Sequence, residues 1–152
     1  MKKTTTVIAT VIGILGGFAG GIKLAKRDDK VYKFKTYYNV LNQWLNLKQE
    51  GKTVEKYFTD NDYKSIAIYG MGEMGNRLYE DLKGTSIEVK YAIDKNIGST
   101  YSEIKVVEPD DELEEVDAVI VSAIFAFEAI ERELCQKISC PIISLEDIIF
   151  DI

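Results

Sequence analysis

Histidine is absent from the sequence, and its absence excludes several kinds of chemistry. Ser-His-Asp and Cys-His nucleophilic systems need an imidazole as general base, and many zinc sites need one as a ligand. Cysteine is scarce as well, because Cys135 and Cys140 are the only two, too few for the disulfide framework of a small secreted domain. We interpret them as a reduced pair of small buried residues, with a redox or metal role as the alternative. No residue is assigned to catalysis or to a metal.

The chain also lacks a net positive charge. Its formal net charge is -6 and its isoelectric point is near 4.8, which argues against a nucleic-acid partner, since neutralising a phosphate backbone needs a basic surface. The acidic run from Glu108 to Asp117 is interpreted as solvated surface rather than as a divalent-metal site. With 152 residues, of which 46% are hydrophobic, the chain can build one core and an appendage.

The appendage is an apolar stretch at the N-terminus. Residues 4–24 contain a single charged residue, Lys23, and about 20 such residues can cross a bilayer. Lys26 and Arg27 follow directly, so the positive-inside rule places the larger C-terminal part in the cytoplasm. We predict a single-pass anchor of the cell membrane over residues 1–27. The alternative is a secretory signal peptide cleaved near Ala19.

Small residues recur every four positions within this stretch. Gly13, Gly17 and Gly21 would lie on one ridge of a helix, where a second helix can approach closely. This spacing predicts a homo-oligomer or a partner membrane helix, although glycine is also common in membrane helices that pair with nothing.

The pattern of residues 28–62 predicts an amphipathic helical linker. Apolar residues follow helical spacing over 34–50, and Gly51 is a suitable stop. We expect this stripe to pack on the following domain, with a twin helix or the lipid headgroup layer as alternatives. A short helix over 54–58, capped by Thr53, should follow. The residues of the stripe are Phe34, Tyr37, Tyr38, Leu41, Trp44 and Leu45.

Residues 63–152 alternate strand and helix at βαβ spacing. The pattern predicts helices over 76–83 and 125–138. Such an alternation is typical of an α/β domain with a doubly wound, mostly parallel five-stranded sheet in the order 3-2-1-4-5. The predicted strands are 65–69, 87–93, 104–107, 117–123 and 141–144.

A glycine-rich loop lies between the first strand and the next helix, in the context that a phosphate-binding loop of a Rossmann-like unit requires. Gly70 would permit a tight turn, Gly72 would leave room for a phosphate, and Gly75 would let the helix lie close to the sheet. The alternative is a glycine-rich turn that binds nothing. The residues assigned to the loop are Gly70, Met71, Gly72, Glu73, Met74 and Gly75.

Two further residues complete the predicted site. Asp94 ends the second strand at the separation expected for the acid that binds a ribose diol, and a solvated turn aspartate is the alternative. Ser122 lies at the end of the fourth strand, where it could hydrogen-bond a ligand or cap a helix. The carboxylate at Asp94 favours NAD, or another nucleotide with a free 2′-hydroxyl.

These motifs carry a resemblance to a known group of domains. The segment Ile68 to Gly75, the strand ending in Asp94 and the strand 117–121 resemble the Rossmann-type domain of bacterial cell-surface polysaccharide biosynthesis. Similar domains occur in membrane nucleoside-diphosphate-sugar dehydratases and epimerases and in sugar acyltransferases. The resemblance implies that Gly70, Gly72, Gly75 and Asp94 contact NAD or a nucleotide-sugar.

The resemblance specifies a binding mode and not a reaction. We therefore expect a membrane-tethered, cytoplasm-facing nucleotide-binding module that does not catalyse a reaction alone. An NAD-dependent oxidoreductase or a subunit of a nucleotide-sugar-modifying enzyme is the second interpretation. A non-catalytic interaction scaffold that has lost the ligand is the third.

Overall fold

The structure, a computed structural model, describes residues 29–99 and 102–152. The chain divides into two compact units, residues 1–39 and residues 40–152. The predicted anchor over 4–24, with Gly13, Gly17 and Gly21, lies outside the described residues. Among those described, no helix is long and apolar enough to cross a membrane.

Five helices and five strands make up the described chain, together with two short 3-10 turns. The helices are α1 (29–49), α2 (Glu55–Asp60), α3 (Glu73–Leu82), α4 (Phe127–Leu134) and α5 (Leu145–Asp151). The strands are β1 (Ser65–Tyr69), β2 (Glu88–Ile93), β3 (Val106–Val107), β4 (Ala118–Val121) and β5 (Ile142–Ser144), and the 3-10 turns are Ile97–Ser99 and Ile124–Ala126.

The strands form one parallel sheet in the order β3-β2-β1-β4-β5, which confirms the predicted topology. Central β1 pairs with β2 on one side and with β4 on the other. Every residue of β4 is buried, as expected for a parallel strand covered on both faces. Because β1 pairs in parallel with both β2 and β4, the carboxyl ends of these three strands meet at the same edge of the sheet.

Helices cover both faces of the sheet. On one face, Ile66 and Ile68 of β1 pack in a cluster with α3 and α5, represented by Leu78 and Ile148. On the other face, Ala67, Tyr69 and Val121 pack with Ile130 and Leu134 of α4. The two clusters are the alternating sides of the same strands, and their separation explains why the strand sequences are apolar without alternation.

Helix α1 packs through a different face from the one predicted. In residues 40–152, the buried side chains of this helix are Val40, Trp44 and Leu47. The Trp44 indole N–H donates to Asp81 Oδ2 of α3 at 2.7 Å, which fixes this face. The expectation that the whole aromatic stripe packs on the domain is therefore wrong: Trp44 is buried and Leu41 half-buried, but Phe34, Tyr37, Tyr38 and Leu45 are exposed.

Several element boundaries also differ from the prediction. Helix α3 begins at Glu73, inside the glycine-rich loop, and α4 begins only after a 3-10 turn. Thr53 does not cap α2, because Val54 occupies the N-cap position and no side chain caps this helix. Helix α5 was not predicted; Ser144 caps it by accepting a hydrogen bond from the N–H of Glu146. Cys135 is exposed and Cys140 half-buried, so the prediction of a buried pair is wrong for Cys135.

Candidate functional site

The glycine-rich loop lies at the carboxyl edge of the sheet, between β1 and α3. Its first residue is tied to the neighbouring strand, because the Gly70 N–H donates to the Ile93 carbonyl at 2.8 Å. On the other side, the hydroxyl of Ser122, which follows β4, donates to the Gly70 carbonyl. The loop is therefore anchored to both strands that flank β1.

Gly70 and Gly75 are required by geometry. Gly70 has φ +91°, a conformation that L side chains rarely adopt. A Cβ atom at Gly75 would lie 2.0 Å from the carbonyl oxygen of Gly70 and 3.1 Å from its carbonyl carbon. The close approach of α3 to the loop is thus possible only because residue 75 has no side chain.

Gly72 occupies a different environment. A Cβ atom built there has no atom within 4 Å, so the space in front of this residue is open. Gly72 is the N-cap residue of α3, and no described residue accepts a hydrogen bond from the N–H groups of Gly72, Glu73 or Met74. These amides, reinforced by the helix dipole, are suited to bind an anion.

Asn76 positions the loop, a role that the sequence pattern did not reveal. Its side-chain amide donates to the carbonyl oxygens of Met71 and Gly72, at 2.8 and 3.0 Å. Both carbonyls are therefore satisfied within the protein. An anion at the helix start would meet amide hydrogens without competition from these two oxygens.

Asp94 lies beside the loop and contacts its backbone. Its Oδ2 atom accepts a hydrogen bond from the Met71 N–H at 2.9 Å, and its Oδ1 atom accepts one from the Asn96 N–H at 2.8 Å. The structure therefore brings together the two features predicted from sequence, the loop and the strand-end acid. Each carboxylate oxygen has a second lone pair for a ligand hydroxyl.

Ser122 and Glu73 have structural partners. The Ser122 hydroxyl donates to the Gly70 carbonyl and is almost fully buried. It caps no helix, because Ala123 and Ala126 occupy the N-cap positions of the following elements; that alternative is wrong, and the ligand contact stays a prediction. The Glu73 side chain is largely exposed and pairs with Arg77 at 3.4 Å, so its carboxylate points to solvent.

A second polar group borders the same edge on the α4 face. The Tyr69 hydroxyl is buried and makes no hydrogen bond within normal geometry to any described residue. Burial raises the pKa of Tyr69, and the charge of Lys95 opposes this rise. Lys95 itself pairs with Glu133 of α4 at 3.0 Å, and this hydrogen bond raises the pKa of the lysine. The positive charge beside Asp94 is thus already compensated.

Metal binding is not suggested by the described part of the chain, which has no group of three or more His, Cys, Asp or Glu residues that could hold an ion. Burial raises the pKa of the Cys140 thiol, which disfavours the thiolate that a metal or a redox reaction would need.

The fold and this edge define an α/β domain with a glycine-rich loop between the first strand and helix of a parallel sheet. Residues 62–142 match the family described as C2185-like, N-terminal. This match covers more than half of the chain, and the chain belongs to this family. No curated protein and no solved structure matches it.

Proposed function

We propose that the chain is a nucleotide-binding module whose ligand is a dinucleotide such as NAD or a nucleotide-sugar. The observation that carries the proposal is the start of α3, where open space at Gly72 adjoins the N–H groups of Gly72, Glu73 and Met74, which have no partner among the described residues. A phosphate group can accept several of these hydrogen bonds at once.

Asp94 supports the nucleoside part of the ligand. Its carboxylate lies at the end of β2, hydrogen-bonded to the loop through Met71. A ribose diol whose phosphate rests on the loop would find its acceptor at this position. Ser122 contributes by fixing the Gly70 carbonyl, so the loop is preorganised and little conformational entropy is lost on binding.

The biological setting rests on the sequence. Residues 4–24 anchor the chain in the cell membrane with the domain in the cytoplasm, and Gly13, Gly17 and Gly21 contact a second membrane helix. The sequence resemblance to domains of cell-surface polysaccharide biosynthesis supports a role in cell-envelope polysaccharide biosynthesis. We assign no catalytic residue, and we expect that the chain does not catalyse a reaction alone.

The anchor has a direct test. The full chain should stay in the membrane pellet after alkaline carbonate washing, because an apolar segment of about 20 residues remains inserted when peripheral contacts are removed. Intact full-length chain in the supernatant would contradict the anchor, and a shortened chain would indicate a cleaved signal peptide.

Ligand binding is tested by native mass spectrometry of the detergent-purified full chain, followed by titration with NAD, NADP and nucleotide-sugars. A retained or saturable nucleotide is expected. Hydride transfer from NADH to a carbonyl substrate panel would favour the oxidoreductase instead, and no binding of any nucleotide would favour the interaction scaffold.

Asp94 should make the site prefer a free 2′-hydroxyl. We expect NAD to bind about tenfold more tightly than NADP, because a 2′-phosphate would meet the carboxylate and lose its hydrogen bonds. Lys95 does little to offset this repulsion, since Glu133 already compensates its charge. Isothermal titration of both cofactors measures the preference.

Asp94→Asn tests the charge of the side chain separately from its hydrogen bond, because the amide oxygen can still accept the Met71 N–H while the charge is lost. The preference for NAD should then fall towards one. Asp111→Asn is the matched control: Asp111 also accepts a backbone N–H in a turn, that of Glu108, and its loss should leave the preference unchanged. Equal affinities of the parent for NAD and NADP would remove Asp94 from the site.

A further inference from the structure

Residues 29–39 of α1 bury no side chain. Thr36 is half-buried and the others are exposed, although the segment is rich in large apolar residues. Val31, Phe34 and Tyr38 are 45%, 73% and 60% exposed. The helical period places these three on one stripe. An exposed apolar stripe of this kind is typical of a surface that contacts a partner or a membrane.

Lysine residues border the stripe on both sides. The same period places Lys30 along one border and Lys35 along the other, and both are exposed. Lys33 lies further round the helix and pairs with Asp29 at 3.2 Å. Lysine side chains beside an apolar stripe can extend their charged ends towards anionic groups while the methylene stems cover apolar surface.

Charge is divided sharply between the two units. Residues 1–39 contain eight lysine or arginine residues and two aspartates, a net charge of +6, and the segment 30–38, outside the proposed anchor, contributes three lysines and no acidic residue. Residues 40–152 contain eleven basic and 23 acidic residues, a net charge of -12. The acidic domain would be repelled by an anionic surface, whereas the basic segment would be attracted to one.

We propose that the segment 30–38 is a lipid-contact element that binds the surface of an anionic bilayer. Val31, Phe34 and Tyr38 enter the headgroup layer, and Lys30 and Lys35 lie among the lipid phosphates or carboxylates. Charge complementarity favours a bilayer over a second copy of the chain, because two such stripes in contact would bring like-charged lysines together. This element is separate from the nucleotide site and from the proposed anchor.

The test uses the full-length chain and two sets of vesicles, one of phosphatidylcholine alone and one with about one-third phosphatidylserine. Hydrogen exchange of residues 29–39, followed by mass spectrometry, is measured in both. We expect exchange to slow at least about tenfold in the anionic vesicles, since lipid contact stabilises an otherwise exposed helix. The difference should largely vanish near 1 M salt, where the Debye length is about 3 Å.

Two variants separate charge from apolar contact. Lys30→Gln, Lys33→Gln and Lys35→Gln together should abolish the difference in exchange between the two kinds of vesicle, because each lysine near such a surface contributes about fivefold. Phe34→Ser with Tyr38→Ser should weaken protection in both kinds of vesicle. The matched control removes three exposed lysines of the acidic unit, Lys52, Lys56 and Lys64, and should change the preference less than about twofold.

Three results would overturn the proposal. Equal exchange in the two kinds of vesicle would show that anionic lipid is not recognised. If the control variant lost as much of the anionic-lipid preference as the triple lysine variant, the preference would depend only on the net charge of the chain. Protection without vesicles that grows with protein concentration would identify a second copy of the chain as the occupant. Failure of nucleotide binding would affect none of these outcomes.

Discussion

Gly72→Val should abolish measurable nucleotide binding while the domain stays folded. No atom lies within 4 Å of a Cβ atom at residue 72, and its φ of -72° with ψ -163° suits a branched side chain. The valine is therefore accommodated, but its methyl groups occupy the space in front of the first-turn N–H groups of α3. A phosphate can no longer reach them, and the helix dipole acts across a longer distance.

The measurement is isothermal titration with the nucleotide that binds the parent, beside thermal unfolding followed by circular dichroism. Loss of glycine at the N-cap position should cost at most about 1 kcal/mol of stability. Gly72→Ala is the graded control, and its single methyl group should weaken binding by less than valine does. Undiminished affinity in Gly72→Val would refute the assignment of the loop to phosphate binding.

The sheet could be predicted because its strands carry strong local signals. Ile66 to Tyr69 and Ala118 to Val121 are unbroken apolar runs, and each is followed by a break and a helix. Parallel βαβ connections leave few arrangements, so the order of the strands followed. Helix α5 was not predicted because it has only seven residues. Its signals were nevertheless present, in Ser144 as cap and in the spacing of Leu145, Ile148 and Ile149.

The orientation of α1 could not be derived from periodicity. The helix has two apolar stripes, one through Phe34, Tyr38 and Leu45 and the other through Val40, Trp44 and Leu47. The predicted stripe combined the residues of the first with Trp44 of the second, whereas only the second is buried in the domain. What decides between them is the fit to α3, including the hydrogen bond from Trp44 to Asp81, and that contact joins residues 37 positions apart.

At the site, the spacing of residues along the sequence predicted the loop and Asp94, but it did not predict the hydrogen bonds that position them. The bond from the Met71 N–H to Asp94 depends on the pairing of β1 with β2, and the bond from Ser122 to Gly70 depends on the pairing of β1 with β4. Asn76 reaches back to the loop only because α3 begins at Glu73, earlier than the apolar pattern suggests.

Gly75→Ala should damage the fold as well as the site. The added Cβ atom would lie 2.0 Å from the Gly70 carbonyl oxygen, far inside van der Waals contact, and the obstructing atom belongs to the backbone. Either α3 moves away from β1 or Gly70 leaves its position, and each movement loosens buried contacts of Leu78. Overpacking of this kind costs about 3 kcal/mol, so the melting temperature should fall by about 10 °C.

The pair Gly75→Ala and Gly72→Ala tests whether position, rather than the loss of a glycine, determines the cost. Both changes add one methyl group to the same loop, yet only residue 75 has a backbone atom in the way. Ser122 offers a second check, because its Oγ atom lies 3.1 Å from the added methyl group. Ser122→Ala would remove that neighbour but leave the Gly70 oxygen, so it should not rescue Gly75→Ala. A melting temperature of Gly75→Ala equal to that of Gly72→Ala would mean that the helix does not approach the loop this closely.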